Sequence, residues 1–280
     1  MQHVYYIDNH FIKENSLQYY LSIRYATDGL SFCIHDSINN RLLAFSYQPF
    51  YLDSQEAVIA KTKQIITEDQ LLSLRYQKVF LLPCNKDKIL IPNSLSQELL
   101  AQHYKICLPL HKNETLYYKE VKAIESYLVE AIPNHFIDFL QSHYSTISVV
   151  NHAYPFIKQS LANIGFNTYH LFINIHHQYF DLLITKHTDI LLFNSFCHHS
   201  INDIVYYVLN CIEQCQVDHK DLKTLCSGDF IHEPTATELL SKYIPQFSIL
   251  PYTSPLHDLI PNHKGNDSSF IHLLNIHQCE

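Results

Sequence analysis

Tyr20-Leu-Ser-Ile-Arg-Tyr-Ala-Thr-Asp-Gly-Leu-Ser-Phe-Cys-Ile-His35 sets two runs of alternating apolar residues on either side of one turn dipeptide. Leu21, Ile23 and Tyr25 alternate before Asp28-Gly29, and Leu30, Phe32 and Ile34 after it. Period-two alternation marks a strand. Asp28-Gly29 suits a type I′ turn, whose two central residues both take positive φ. Leu42-Leu-Ala-Phe-Ser-Tyr47 reads as a third strand, followed by a helix from about Ser54 with Val58, Thr62, Ile65 and Ile66 on one face, and a buried strand over Tyr76 to Pro83. The layout then returns. Tyr169-His-Leu-Phe-Ile-Asn-Ile175, a turn near His177-Gln178, Tyr179-Phe-Asp-Leu-Leu-Ile184, Ile190-Leu-Leu-Phe193 and a helix from Ile201 repeat the same order.

Between the copies, residues 84–133 read as an insertion with its own elements. Lys88-Ile-Leu-Ile91 is a strand, Ser94 can cap a helix with Leu95, Leu99, Leu100 and His103 on its face, and Thr115 to Ile132 holds two strand-like runs. Adjacent Tyr117 and Tyr118 would point to opposite faces, leaving one exposed. After Pro133 come a helix through Phe136, Phe139, Leu140 and Tyr144, a strand at Ile147, and a helix through Ile157 and Leu161 for which Gly165 would be a left-handed cap. In the second copy, Ser200 with Asp203 resembles a capping box. A strand at Leu222, a helix after Pro234 with Ala236, Leu239, Leu240 and Tyr243 inward, a strand at Gln246, a loop over 253–269 and a short helix over Phe270–Ile276 complete it. The expected division is residues 1–166, carrying the insertion, and residues 167–280.

Composition excludes several classes. With 280 residues and 47% hydrophobic content, the chain can bury a large core. A net charge of −8 with no basic run disfavours nucleic acid. The first residues lack a basic and apolar leader and no stretch reaches membrane-spanning length, so a cytoplasmic location without membrane insertion is expected. The 8 cysteines lack framework spacing, and disulfides are not expected.

The doubled βββαβαβα order is the one shared by the lobes of the actin-like (RNase H-like) ATPase superfamily, an α/β architecture. More closely, Leu21 to Ile34, Ile91-Pro-Asn-Ser-Leu95, and Leu192-Phe-Asn-Ser-Phe196 leading into Asp203-Ile-Val-Tyr-Tyr-Val-Leu209 resemble the uncharacterised bacterial family DUF3822. These strings are structural, so the resemblance implies a fold and not a reaction. In active members of the superfamily, each lobe's first hairpin turns through Asp-x-Gly and small hydroxyl residues around the β- and γ-phosphates, and a Gly-Gly pair meets the adenosine. Here the first hairpin has Thr27-Asp28-Gly29-Leu30-Ser31, without the spacer, and the second has Asn174-Ile-His-His-Gln-Tyr-Phe180, without glycine. At the adenosine position, Cys226-Ser227-Gly228-Asp229 keeps a single glycine. Were a nucleotide such as ATP to bind, Asp28, Gly29, Ser227, Gly228 and Asp229 are the candidates; turn chemistry alone also accounts for Asp28 and Gly29.

Asp181 and Asp189 flank the middle strands of the second copy and read as surface acids at strand ends. The 20 histidines suggest metal at His176-His177, at His198-His199, or along Cys211, Cys215 and His219, each four residues apart. Packing already explains the last series, and neither His-Glu-x-x-His nor a Cys-x-x-Cys pair occurs, so no metal is expected. The combined expectation is an actin-like protein without ATPase activity, needing no cofactor and binding a protein partner, in part through the insertion. A divergent ATPase or kinase, and a metal-dependent hydrolase, are the alternatives.

Overall fold

Fourteen strands and seven α-helices are described in the computed structural model, which covers residues 3–165, 168–218, 220–228, 234–250, 256 and 270–276. The first copy supplies β2 (Tyr19–Ala26), β3 (Gly29–Asp36) and β4 (Arg41–Pro49), then α1 (Gln55–Glu68), β5 (Lys78–Pro83), α3 (Asn134–His143), β9 (Ile147–Val149) and α4 (Ala153–Ala162). The second supplies β10 (Tyr169–Ile175), β11 (Tyr179–Lys186), β12 (Asp189–Cys197), α5 (Ile201–Gln214), β13 (Leu222–Gly228), α6 (Pro234–Tyr243) and β14 (Phe247–Ile249). Their sheets run β4-β3-β2-β5-β9 and β12-β11-β10-β13-β14, the same order twice. Even the irregularities repeat: pairing slips between Ile34 and His35 in β3 and between Ile184 and Thr185 in β11, the same place along each middle strand. No described helix is long and apolar enough to cross a membrane.

The alternation read from the sequence sorts residues onto layers. Leu21, Ile23, Phe32 and Ile34 pack under α1 and α3, and Ile173, Leu182, Ile184 and Cys226 under α5 and α6. The opposite faces meet in a central layer, where Phe45, Phe80, Phe172 and Leu183 enclose α4 and α7 (Ile271–Asn275). The insertion is a three-stranded sheet, β6 (Lys88–Pro92), β8 (Ser126–Pro133) and β7 (Glu114–Val121), with α2 (Leu100–Cys107) on a small core of its own. As expected, Ser54 caps α1 and Ser200 with Asp203 forms a capping box on α5.

Several expectations are corrected. A strand the sequence reading lacked, β1 (Val4–Ile7), pairs with β4 at the sheet edge. Ala26 pairs with Gly29, so the hairpin turns through Thr27-Asp28, and Asp28 keeps negative φ; the turn is not type I′. Gly29 serves a different need: at φ +152°, a Cβ there would lie 2.7 Å from the Gln48 carbonyl and 2.8 Å from the Tyr47 ring. Gly165 lacks positive φ and α4 ends through Asn163 instead. Ser94 caps no helix; α2 begins at Leu100 and buries Leu100 and Tyr104, with Leu99 exposed. Tyr243 of α6 is 46% exposed. The loop expected over 253–269 lies, except for Leu256, outside the described residues, whereas the terminal helix forms as read.

Candidate functional site

The two β-hairpin tips each make contacts of their own. At the first tip the Asp28 carboxylate accepts from Arg24 Nη2 at 3.2 Å, and the Asp28 carbonyl accepts from the Tyr47 hydroxyl at 2.9 Å and the Phe50 amide at 3.2 Å. The second tip leans on the segment after β4. Gln178 donates to Asp53 at 3.4 Å, and the His177 ring lies 5.0 Å from that of Tyr51. Behind the second tip, His198 Nε2 donates to the His176 carbonyl at 2.8 Å.

Between the tips sits a buried polar cluster. Period two along β10 and β11 turns Asn174, Tyr179 and Asp181 toward the first sheet, on the strand face that also carries Phe172 and Leu183. Asp181 has no exposed side-chain surface. Its Oδ1 is 2.7 Å from Lys88 Nζ and accepts from Ser195 Oγ at 2.6 Å, while Oδ2 lies 2.9 Å from His152 Nε2 and 3.3 Å from His176 Nε2. Lys88, first residue of β6, also donates to the Asn85 carbonyl at 2.7 Å and lies over the Tyr179 ring. Cys84, just past β5, puts Sγ 3.5 Å from His176 Nδ1 and 3.3 Å from the Tyr179 hydroxyl. His152, at the start of α4, places Nδ1 2.9 Å from the Pro83 carbonyl. Glu130, opposite Lys88 in the β6–β8 pairing, accepts from Asn151 at 2.7 Å. The cluster thus joins β5, β6, β8, α4, β10 and β11.

Burial alone would neutralise these groups, and their mutual charges decide otherwise. For Asp181, burial pushes upward, yet the Lys88 ammonium and the two histidines hold the carboxyl well below its ordinary range. His176 is pushed down by burial but raised to about 9 overall by Cys84 and Asp181. Burial raises the Cys84 thiol, and His152, Arg24 and His176 outweigh it, leaving the thiol well below its ordinary value. Glu130 goes the other way: burial outweighs Asn151, His152 and Lys88, and its carboxyl rises to about 7. A cavity of 270 Å³ lies between the tips and against the cluster, with Ala26, Thr27, Gln178, Cys84, Asn85 and Tyr179 in its wall. It is smaller than the roughly 300–1,000 Å³ usual for small-molecule sites.

The nominated residues are scattered differently. Asp28 is ion-paired with Arg24, and Gly29 is pressed against β4. Ser227 donates to Asn174 at 3.1 Å, so it touches the edge of the cluster. Gly228, at φ +100°, meets the backbone of Ile175 so closely that an added Cβ would be 2.1 Å from its carbonyl oxygen. Asp229 and His219 lie outside the described residues. Asp189 is exposed, as a strand-end acid should be, but Asp181 is corrected from a surface acid to the centre of the cluster. Cys84, Lys88, Glu130, Asn151 and His152 were not singled out as site residues. One signal was present: Asn174 and His176, then Tyr179 and Asp181, occupy every second position on one strand face, where an outer apolar face is already complete.

A sheet order repeated in two units, helices outside each, and hairpin tips meeting between them define the actin-like ATPase fold class. Residues 8–247 match DUF3822, a family of proteins of unknown function, and the chain belongs to that family. It is similar to a Bacteroides thetaiotaomicron protein described as having an actin-like ATPase fold and unknown function, with 23% identity, a TM-score of 0.80 and coverage of 95% of this chain and 99% of that one. It is also similar in fold to a chain of the PilM–PilN type IV pilus biogenesis complex, at 11% identity, TM-score 0.53 and coverage of 93% and 98%. No functionally curated protein matches the chain.

Proposed function

We propose that this DUF3822 protein is a catalytically inactive, cytoplasmic member of the actin-like fold class that acts as a protein-binding scaffold. Its working units are lobes over residues 1–166 and 167–280, with the insertion over 84–133 forming part of the partner surface. The observation that carries the reading is the Lys88–Asp181–His152–His176 cluster, buried and mutually bonded beside the second hairpin tip. Converging backbone amides are the usual device for holding a triphosphate, and glycine is what lets them converge. The second tip has no glycine, and both glycines near the gap, Gly29 and Gly228, are committed to close strand packing.

On the insertion, Tyr117 packs against the first core while Tyr118 is 45% exposed, its ring against Tyr127. An exposed aromatic on a rigid strand is a suitable anchor for a partner. Affinity capture from native lysate with the parent and with Tyr118→Ser tests this. The expected result is a reproducible partner that the folded variant loses. A parent that retains no partner, together with measurable ATP turnover, would contradict the scaffold reading.

A further inference from the structure

Cys84, His152 and His176 bring one thiol and two imidazoles together in the interior, their ligand atoms all within 4.8 Å of one another. We propose that these three residues form a zinc site that staples the two halves of the fold together, with Asp181 in its outer shell. The inference is independent of the scaffold reading. It rests on donor geometry, donor chemistry and the outer shell.

Cys84 Sγ lies 3.5 Å from His176 Nδ1, and His152 Nε2 turns toward the same place, with the Tyr179 hydroxyl 3.3 Å from it and 3.3 Å from Cys84 Sγ. In a tetrahedral site with Zn–S of about 2.3 Å and Zn–N of about 2.0–2.1 Å, neighbouring sulfur and nitrogen are about 3.5–3.6 Å apart, which the Cys84–His176 pair already meets. Thiolate with imidazole is a donor set that favours zinc over the hard cations calcium and magnesium. The outer shell has the features of a ligand cage: the His152 ring is oriented by the Pro83 carbonyl on its other nitrogen, and the outward Asp181 oxygen is held by Ser195 and Lys88. His176 Nε2, the nitrogen turned away from Cys84, faces Asp181 at 3.3 Å and Asn174 at 3.1 Å, and a carboxylate on the second nitrogen is the usual partner of a ligating imidazole. Cys84 and His152 come from the chain before residue 166 and His176 from the chain after it. With all three donors buried and drawn from both halves, the role of the ion is structural.

The test uses the full-length chain without a polyhistidine tag. Chelator-stripped protein is dialysed against Zn²⁺, and its metal content is measured, then Co²⁺ is substituted and its spectrum recorded. One equivalent of zinc per chain, a near-ultraviolet thiolate-to-cobalt band and a higher melting temperature are expected. Cys84→Ser, which nearly preserves side-chain size, should abolish the band and weaken Zn²⁺ binding more than about a hundredfold, beyond what loss of an outer-shell partner costs. Cys107→Ser, at an exposed site, should leave both unchanged. Parent protein that binds no stoichiometric zinc, or whose cobalt form lacks the thiolate band, overturns the proposal without reliance on any variant; so does undiminished binding by folded Cys84→Ser.

Discussion

Lys88 and Asp181 form an ion pair with no solvent-exposed side-chain surface on either partner. Removing one member of a buried pair strands the other charge, which costs about 3–5 kcal/mol, a large share of the roughly 5–15 kcal/mol that a folded domain has in total. Lys88→Met should therefore lower the urea midpoint severely, and Lys88→Met with Asp181→Leu should recover part of the loss; equal destabilisation in single and double variants would show that the pair is not coupled. Glu130 gives a pH signature. Its carboxyl lies at 4.5 ordinarily and about 7 in the fold, so the folded state holds the proton more tightly than the unfolded one. Stability from this group is complete below pH 4.5 and lost as pH rises through about 7. Glu130→Gln, which keeps an acceptor for Asn151, should flatten the fall in melting temperature across that window. A parent and variant with parallel pH profiles would place the Glu130 carboxyl at its ordinary value.

At the scale of elements, the two hairpins share strand order and the position of their pairing slip, yet differ at their tips. Gly29 and Gly228 each sit where another strand's backbone leaves no room for a side chain. Gly29→Val should cost about 1–3 kcal/mol through strain at positive φ. Gly228→Ala should cost more than Gly29→Ala, since its Cβ would meet main chain at 2.1 Å rather than 2.7 Å. Chemical denaturation of the two alanine variants measures the order, and a Gly228→Ala protein as stable as the parent would contradict the packing assignment. The strands were legible because alternation survives in Leu21, Ile23 and Tyr25 and in Leu182 and Ile184 whatever the tertiary context. Boundaries decided by tertiary pairing were not: β1 becomes a strand only by adding to β4, and the turn shifted from Asp28-Gly29 to Thr27-Asp28 because Ala26 pairs with Gly29.

Over the whole molecule, the central layer joins the two repeated units through apolar packing around α4 and α7 and through the Asp181 cluster beside it. The repeat, and with it the fold class, could be read from the order of elements. The cluster could not, because Cys84 and Lys88 open the insertion, His152 follows β9, and His176 and Asp181 belong to the other unit; only folding makes them neighbours. The central claim is that the hairpin tips lack a glycine-built cradle for phosphate, and it predicts that nucleotide is not held. A ligand present at a hundredfold excess over its dissociation constant stabilises the folded state by about 2.7 kcal/mol, an easily measured rise in melting temperature. The most direct measurement is the melting temperature of the parent protein with and without millimolar Mg-ATP: the account predicts no shift, and a clear, saturable rise would contradict it.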